Sequence, residues 1–125
     1  MWVYAQASGE LSRDDDAAVV STGYSGSGEG KNNPAMQQIH DVGPIPRGIW
    51  HIGDPECVET VGPHGPFVLP LTPADGTETF GRSGFLCHGD SYNHPGQASH
   101  GCIVLNRHVR EAIAASHDQL LKVVA

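Results

Sequence analysis

The sequence predicts an α+β fold in one domain, residues 1–125, with mostly antiparallel strands in a β-sandwich-like arrangement and one late helix. Three observations lead to this expectation. The 125 residues suffice for one core and are too few for two domains of ordinary size. The 16 glycines and 9 prolines favour many turns over long helices. Only a segment close to the C-terminus combines helical spacing of apolar residues with a capping residue.

The first 24 residues read as a meander of short strands. The stretches "WVYAQ" and "ELS" alternate in polarity on either side of a turn at Ser8 and Gly9, and "AAVVSTGY" follows an acidic loop. The next stretch, "SGSGEGKNNP" at residues 25–34, is made of turn-forming and polar residues. We expect it to be a long surface loop.

The middle of the chain alternates turns with extended pieces. A short helical turn from Met36 leads into the two-proline turn "GPIPRG" and the strand "IWHIG". Trp50 in this strand, like Trp2, is expected in the core or on a face of the sheet. The apolar piece "FVLPLTP" from Phe67 contains two prolines, which suit an edge strand. The stretch "FGRSGFLCHGD" predicts a strand that ends at His88.

The last third of the chain holds the predicted helix. A loop, "DSYNHPGQASHG", carries the chain to Cys102 and the strand "CIVLN". Residues 107–116 place Val109, Ala112, Ile113 and Ser116 at helical spacing on one apolar face, and Asn106 is a suitable N-cap. The final "QLLKVVA" predicts one more strand.

Charge and hydropathy exclude two classes of partner. The net charge is −7 and the 7 lysines and arginines are scattered, so we expect no nucleic acid partner. No stretch approaches the roughly 20 apolar residues that cross a bilayer, so we expect no membrane insertion. The opening "MWVYAQASGE" lacks the features of a signal peptide. We therefore expect a protein made in the cytoplasm that stays there or leaves without a cleaved signal.

Three cysteines, Cys57, Cys87 and Cys102, cannot all be paired within one chain. A bridge between Cys57 and Cys87 is arithmetically possible, although disulfides are uncommon in the cytosol. At least one thiol is therefore free.

The stretch "SHGC" has the residue types of a cysteine nucleophile, with Cys102 as its thiol. His88 and His100 are candidates for the base that takes the thiol proton. The adjacent N–H groups of Gly101 and Cys102 suit an oxyanion hole. These groups together fit acyl transfer at an amide.

Other interpretations of the same residues stay open. Ser99 or Asp90 could orient an imidazole, and the sequence does not decide between them. A cysteine followed by "IVL" is also typical of a buried small hydrophobic residue. A metal site is a further alternative, because four nitrogen or sulfur ligands occur within fifteen residues. These ligands, which lack a paired cysteine spacing, are His88, His94, His100 and Cys102.

The same motifs carry a family resemblance. "HGD" followed by "SHGC" resembles the active-site motif of YkuD-type L,D-transpeptidases, cysteine enzymes that act on peptidoglycan stem peptides. The blocks "GYSGSGEGKNNP", "GPIPRGIWHIG", "FGRSGFLCHGD" and "ASHGCIVL" resemble, in this order, the small L,D-transpeptidase effectors delivered by type VI secretion systems. The resemblance covers nearly the whole chain and implies the YkuD-like fold.

The resemblance implies an antibacterial L,D-transpeptidase or L,D-carboxypeptidase. Cys102 would attack the carbonyl of the third residue of a tetrapeptide stem and expel the terminal D-alanine, leaving a thioester. His88 would be its base, and Ser99, His100 and Gly101 complete the motif. A D-amino acid, water or a second stem would then resolve the thioester by exchange, trimming or cross-linking. No cofactor and no metal are expected.

Two departures from the larger transpeptidases concern the substrate. Ten residues separate the motif histidine from the "SHGC" block, so the loop over the site is short. The larger enzymes carry an arginine two places after the cysteine, where this chain has Val104. Arg82, Lys31 or Arg107 could replace it in binding the substrate carboxylate, with Arg82 preferred. Asp90 is a further candidate for substrate contact.

The resemblance also implies a location and partners. Such an effector is injected by the type VI system and acts in the periplasm of the target cell. The producer would hold a cognate immunity protein and a delivery component of the secretion system. The alternative is a catalytically inactive domain of the same fold that binds peptidoglycan or a partner.

Overall fold

The computed structural model describes residues 1–13, 16–56 and 67–125. Within these ranges the protein is mostly β, with one α-helix. The elements in chain order are β1 Trp2–Ala5, β2 Glu10–Arg13, β3 Asp16–Thr22, β4 Tyr24–Ser25, β5 Gly48–Ile52, β6 Leu69–Pro73, β7 Leu86–His88, β8 Ile103–Val104, α1 Arg107–Ser116 and β9 Leu120–Val124. Two short 3₁₀ turns, Gly28–Gly30 and Pro34–Met36, lie in the long loop between β4 and β5.

Helix α1 confirms the predicted bounds and the predicted cap. The side chain of Asn106 accepts a hydrogen bond from the Val109 N–H at 3.0 Å, which satisfies one of the N–H groups that every helix start leaves unpaired. Of the residues predicted on the apolar face, Val109 and Ile113 are buried and Ser116 is half-buried, whereas Ala112 is exposed. The helix ends at His117, which adopts the left-handed conformation with φ 57°.

The strands follow the order β3-β2-β1-β9-β5-β6-β7-β8-β4. Neighbours are antiparallel except for two parallel pairs, β1 with β9 and β7 with β8. The order begins with β3 and ends with β4, which are consecutive in the chain and separated only by Gly23. The two ends of the sheet therefore come together, and the sheet nearly closes into a barrel.

Strand β6 lies inside the sheet, so the edge position predicted from its two prolines is wrong. It pairs with β5 over Leu71–Pro73 and with β7 over Leu69–Pro70. Pro70 contributes its carbonyl, which accepts a hydrogen bond from the Gly53 N–H at 2.8 Å. Because each neighbour pairs with only part of β6, the proline nitrogens, which cannot donate hydrogen bonds, are tolerated inside the sheet.

The core lies on the inner face of this curved sheet. Trp2 and Tyr4 alternate with less buried residues along β1, as a strand with one covered face requires. Trp50 is fully buried and meets the edge of the Phe85 ring, with centroids 5.0 Å apart. Of the two positions expected for Trp2 and Trp50, core or sheet face, the structure shows the core for both.

The parallel pair β7 and β8 positions the histidine and the cysteine singled out by the sequence. His88 is the register partner of Val104, and Leu105 N–H donates to the His88 carbonyl at 3.1 Å. Cys102 precedes Val104 by two residues, and side chains two apart on a strand share a face. The thiol and the imidazole are therefore carried by adjacent chain segments on the same side of the sheet.

Candidate active site

Cys102 and His88 open into one cavity of about 390 Å³. Its wall also includes Arg82, His40 and His100. Of the two histidines proposed as the base, His88 is buried and His100 is exposed at the surface. The cavity therefore combines a thiol, a buried imidazole and a cationic side chain.

The Cys102 thiol is half-buried and has polar contacts with the backbone. Its Sγ donates to the Gly84 carbonyl at 3.8 Å. Burial raises the pKa of the Cys102 thiol above its ordinary value, while the Leu86 N–H and the Arg82 guanidinium oppose this rise. Because burial dominates, the thiol is mostly protonated at neutral pH and needs a base to become a nucleophile.

His88 is held in one orientation by the backbone. Its Nδ1 lies 2.7 Å from the Gly89 carbonyl oxygen. A carbonyl can only accept a hydrogen bond, so Nδ1 of the neutral ring carries the proton and Nε2 carries the lone pair. The Gly89 carbonyl thus fills the orienting role for which the sequence suggested Ser99 or Asp90.

Ser99 ties together the turn that carries the nucleophile. Its Oγ donates to the Cys102 carbonyl at 2.6 Å and accepts from Gly26 N–H at 2.9 Å and Gly101 N–H at 3.0 Å. A second serine, Ser25, donates to the Gly101 carbonyl at 2.8 Å. The turn is therefore fixed from both sides by buried hydroxyl groups.

The sequence predicted an oxyanion hole made of two adjacent N–H groups, and for one of them, that of Gly101, the prediction is wrong. The Gly101 N–H is engaged by Ser99 Oγ and is not directed at the cavity. Within the described ranges, the Cys102 N–H makes no hydrogen bond to the protein. Cys102 N–H thus remains the candidate donor from this turn.

Four side chains were expected as candidates for substrate contact, Arg82, Lys31, Arg107 and Asp90, and of these Arg82 is the one that lines the cavity. Its guanidinium is buried and donates to backbone carbonyls. Arg107 is exposed on α1 and donates to Glu111 at 2.8 Å. Lys31 instead donates to the Gly96 carbonyl at 3.0 Å and lies over the Tyr24 ring at 4.3 Å. Asp90 accepts from the Tyr24 hydroxyl at 2.6 Å. Lys31 and Asp90 therefore anchor the loop between β7 and β8.

The last two motif positions singled out in the sequence are His100 and Val104. His100 Nδ1 lies 3.3 Å from the Asp41 carbonyl, which leaves the rest of its exposed ring at the mouth of the cavity. Val104 is 4 % exposed, and it lies on the face of β8 opposite to that of its core neighbours Ile103 and Leu105. The position at which larger transpeptidases carry an arginine is thus occupied by a packed aliphatic side chain.

The other cysteines have different surroundings. Cys87 is a free thiol in the core, and burial raises its pKa to about 12. Cys57 and its possible bridge lie outside the described residues. In the described part of the chain, Cys102 is therefore the free thiol that lines the same open cavity as His88.

The described residues contain no group of three or more His, Cys, Asp or Glu side chains arranged to share a metal ion. The four ligands suggested from the sequence thus do not converge. Among the residues described, no helix has the length and apolar character needed to cross a bilayer.

Several groups at the site were missed by sequence reasoning. The Gly89 carbonyl and the Leu86 N–H are backbone groups, which have no signature in the choice of side chain. Ser25 was placed in a surface loop, but it is buried against the nucleophile turn. Ser25 at the start of the glycine-rich stretch is visible in the sequence, but its contact with the nucleophile turn is not.

Comparison with protein-family models matches residues 20–125 to the model described as the Tlde1 domain. A search of curated proteins finds no match to this chain.

Proposed function

We propose, from the premise that this chain belongs to the Tlde1 domain family of type VI secretion effectors, that it is an antibacterial enzyme acting on peptidoglycan. The substrate would be the tetrapeptide stem, and the reaction cysteine acyl transfer. It would proceed as L,D-carboxypeptidation, as exchange of the terminal D-amino acid by L,D-transpeptidation, or as both. The observation that carries the proposal is the shared cavity of Cys102 and an imidazole whose Nδ1 is held by a carbonyl.

The first half of the reaction forms a thioester. His88 Nε2 takes the Sγ proton, and the thiolate attacks the carbonyl carbon of the third stem residue. The carbon–sulfur bond forms as the carbonyl π electrons move to oxygen. Collapse of this tetrahedral intermediate breaks the carbon–nitrogen bond, and the imidazolium of His88 gives its proton to the departing D-alanine amine.

The second half returns the free enzyme. Water or the amine of a D-amino acid attacks the thioester, and His88 takes the proton that this nucleophile loses. Collapse breaks the carbon–sulfur bond, and the thiolate regains its proton from His88. Water yields a tripeptide stem, whereas an amine yields a stem with a new terminal residue.

Two features of the site favour the charged intermediate. The Cys102 N–H is placed beside the attacking sulfur, and one such donor is worth about 2.7–4 kcal/mol in acyl transfer. The Arg82 guanidinium adds a positive charge at the cavity wall. Because its donors are engaged by carbonyls, hydrogen bonds to the stem would come from exposed groups at the mouth, such as His100 and His40.

The remaining parts of the proposal concern the biology. Delivery by the type VI system would bring the enzyme to the periplasm of a target cell, where stem peptides are found. A cognate immunity protein would protect cells that encounter the enzyme there. Lys31 and Asp90 would contribute to substrate binding through the loop between β7 and β8 that they anchor.

Incubation with purified tetrapeptide muropeptides tests the enzymatic claim. We expect released D-alanine, and exchange products when a second D-amino acid is added, both read by mass spectrometry. Cys102→Ala should abolish both products while retaining the fold. Intact muropeptides after prolonged incubation with the parent protein would instead support a catalytically inactive binding domain.

A further inference from the structure

We propose that Arg82 is a positioning residue that clamps the nucleophile turn to residues 37–44 and holds a positive charge behind the reacting sulfur. The catalytic meaning of this role rests on the function proposed above. The role differs from substrate binding, because it uses the guanidinium inwards, towards the protein.

The hydrogen bonds of Arg82 reach two separate parts of the chain. Nη1 donates to the carbonyls of Gln37 and Pro44, and Nη2 donates to the carbonyl of Gly43 at 2.9 Å. Nη2 also reaches the His100 carbonyl at 3.4 Å, in the turn that carries Cys102. One planar group thus bridges the loop before β5 and the nucleophile turn.

Close packing at Gly101 shows how near the guanidinium lies to this turn. A Cβ at Gly101 would lie 2.5 Å from Arg82 Nη2, and the backbone has φ +138°, a region that favours glycine. The Phe85 ring supports the guanidinium from another direction, with Cζ 5.1 Å from the ring centroid. The glycine of the "SHGC" motif therefore makes room for the arginine.

The clamp continues into the core of the sheet. Gln37, whose carbonyl accepts from Arg82, also accepts through Oε1 from Gln6 Nε2 at 3.2 Å. Gln6 is fully buried after β1 and donates to the Ile45 carbonyl at 2.8 Å. The nucleophile turn is thus linked through Arg82 to rigid parts of the fold.

The charge of Arg82 is not neutralised by direct ion pairing. Its acceptors are neutral carbonyls, and no ion pair involves it in the described part of the chain. Asp41 lies near enough to interact through the cavity mouth. The charged or titratable side chains near the thiol are Arg82, His40, His88, His100, Asp41 and the buried Cys87. A thiolate or oxyanion at Cys102 would therefore be stabilised by the guanidinium.

Lysine could not reproduce this arrangement. An arginine presents several N–H donors in a rigid plane, whereas a lysine ammonium is a single centre on a flexible stem. Arg82→Lys keeps the charge and loses most of the clamp, while Arg82→Gln loses both. This pair of variants separates the electrostatic contribution from the positioning contribution.

The test measures the pH dependence of Cys102 alkylation by iodoacetamide, resolved to the Cys102 peptide by mass spectrometry. For Arg82→Gln we expect the midpoint to rise by about one pH unit, which slows alkylation roughly tenfold below the midpoint. Arg82→Lys should raise the alkylation midpoint by less than Arg82→Gln does. Arg13→Gln is the control, because Arg13 donates to Asp118 Oδ2 at 2.9 Å and does not line the cavity. Its alkylation midpoint should match that of the parent.

Turnover of muropeptides provides a second measurement. A positioning role predicts that Arg82→Lys lowers kcat with little change in KM. A rise in KM at unchanged kcat would overturn the proposal, because it would make Arg82 a substrate contact. An Arg82→Gln midpoint equal to that of the parent would also overturn it, as would failure of both Arg82 variants to fold.

The alkylation result is independent of the proposed function. If the parent protein turns over no muropeptide but the Arg82 variants shift the alkylation midpoint as expected, the proposed function fails and the role of Arg82 towards the thiol stands. If muropeptides are turned over but the midpoint does not shift, the function stands and the role of Arg82 is overturned.

Discussion

At the scale of single residues, the thiols of Cys87 in β7 and of Cys102, just before β8, have opposite environments. Cys87 is the register partner of Ile103, and Cys102 is the residue immediately before Ile103 in the chain. Cys87 is 3 % exposed within the core, whereas Cys102 lines the cavity. Side-chain direction, rather than position in the sheet, decides which sulfur can meet a substrate.

This contrast predicts selective labelling. Iodoacetamide should modify Cys102 in the folded protein and leave Cys87 unmodified, because burial raises the Cys87 pKa to about 12 and also blocks access. Both should react in denaturant, as peptide mass spectrometry would show. Cys87→Ala should lose about 1 kcal/mol of stability and keep muropeptide turnover. Equal labelling of the two thiols in the native protein would contradict this account.

Gly101 supports a second prediction at the residue scale. Gly101→Ala should lower the free energy of unfolding by about 2–4 kcal/mol, because a Cβ would meet Arg82 Nη2 at 2.5 Å and the φ of +138° is strained for alanine. Gly76→Ala is a matched control, since Gly76 also has positive φ, +88°, but nothing within 4 Å of the added Cβ. Its loss should be about 1 kcal/mol. Urea unfolding measures both, and equal losses would exclude the steric explanation.

At the scale of elements, the loop between β7 and β8 is held by one carboxylate. Asp90 accepts hydrogen bonds from Tyr24 Oη at 2.6 Å, Ser91 N–H at 2.8 Å and Gly96 N–H at 3.1 Å. Burial alone would raise the pKa of Asp90, but these bonds and the Lys31 charge hold it below its usual range. The short loop is therefore closed on itself beside the active site.

Asp90→Asn should destabilise the protein slightly and in a pH-dependent way. A carboxyl whose pKa is lowered by folding contributes stability above its unfolded value, near pH 4, and loses this contribution as the pH falls through the folded value. We expect a loss of about 0.5–1 kcal/mol at pH 7, small because the group is exposed. The difference between variant and parent in urea unfolding should narrow below pH 4. A difference that stays constant down to pH 3 would show that the charge is not involved.

Local sequence signals predicted the bounds of single elements better than they predicted which strands pair with each other. Helix α1 has a capping residue and apolar spacing within ten residues, so its bounds follow from the sequence. The placement of β6 does not, because prolines restrict a strand's donors without revealing which neighbours it has. The parallel pairing of β7 with β8 likewise depends on contacts across the loop of the active site.

At the scale of the whole molecule, the proposed function predicts toxicity that depends on compartment. The parent protein sent to the periplasm by an added signal peptide should lower the viability of the host, because peptidoglycan stems are exposed there. The same chain kept in the cytoplasm should be tolerated, and periplasmic Cys102→Ala should be harmless at equal expression. Plating efficiency measures this, and undiminished toxicity of Cys102→Ala would contradict a role for the thiol.

The sequence by itself determined the residue types and the local elements of this protein. Cys102 with its glycine, the two candidate histidines and the capped helix are all visible in short stretches, because nucleophiles, turns and caps depend on neighbours in the chain. Family membership over residues 20–125 agrees with the effector resemblance of those stretches.

Only the tertiary structure decided how these groups are arranged. It assigned the orientation of His88 to the Gly89 carbonyl, engaged the Gly101 N–H with Ser99, and turned Arg82 inwards onto four carbonyls. The physical reason is that backbone donors and acceptors are the same at every residue. Which of them meet depends on strand register and on long-range packing, and neither is written in a local pattern.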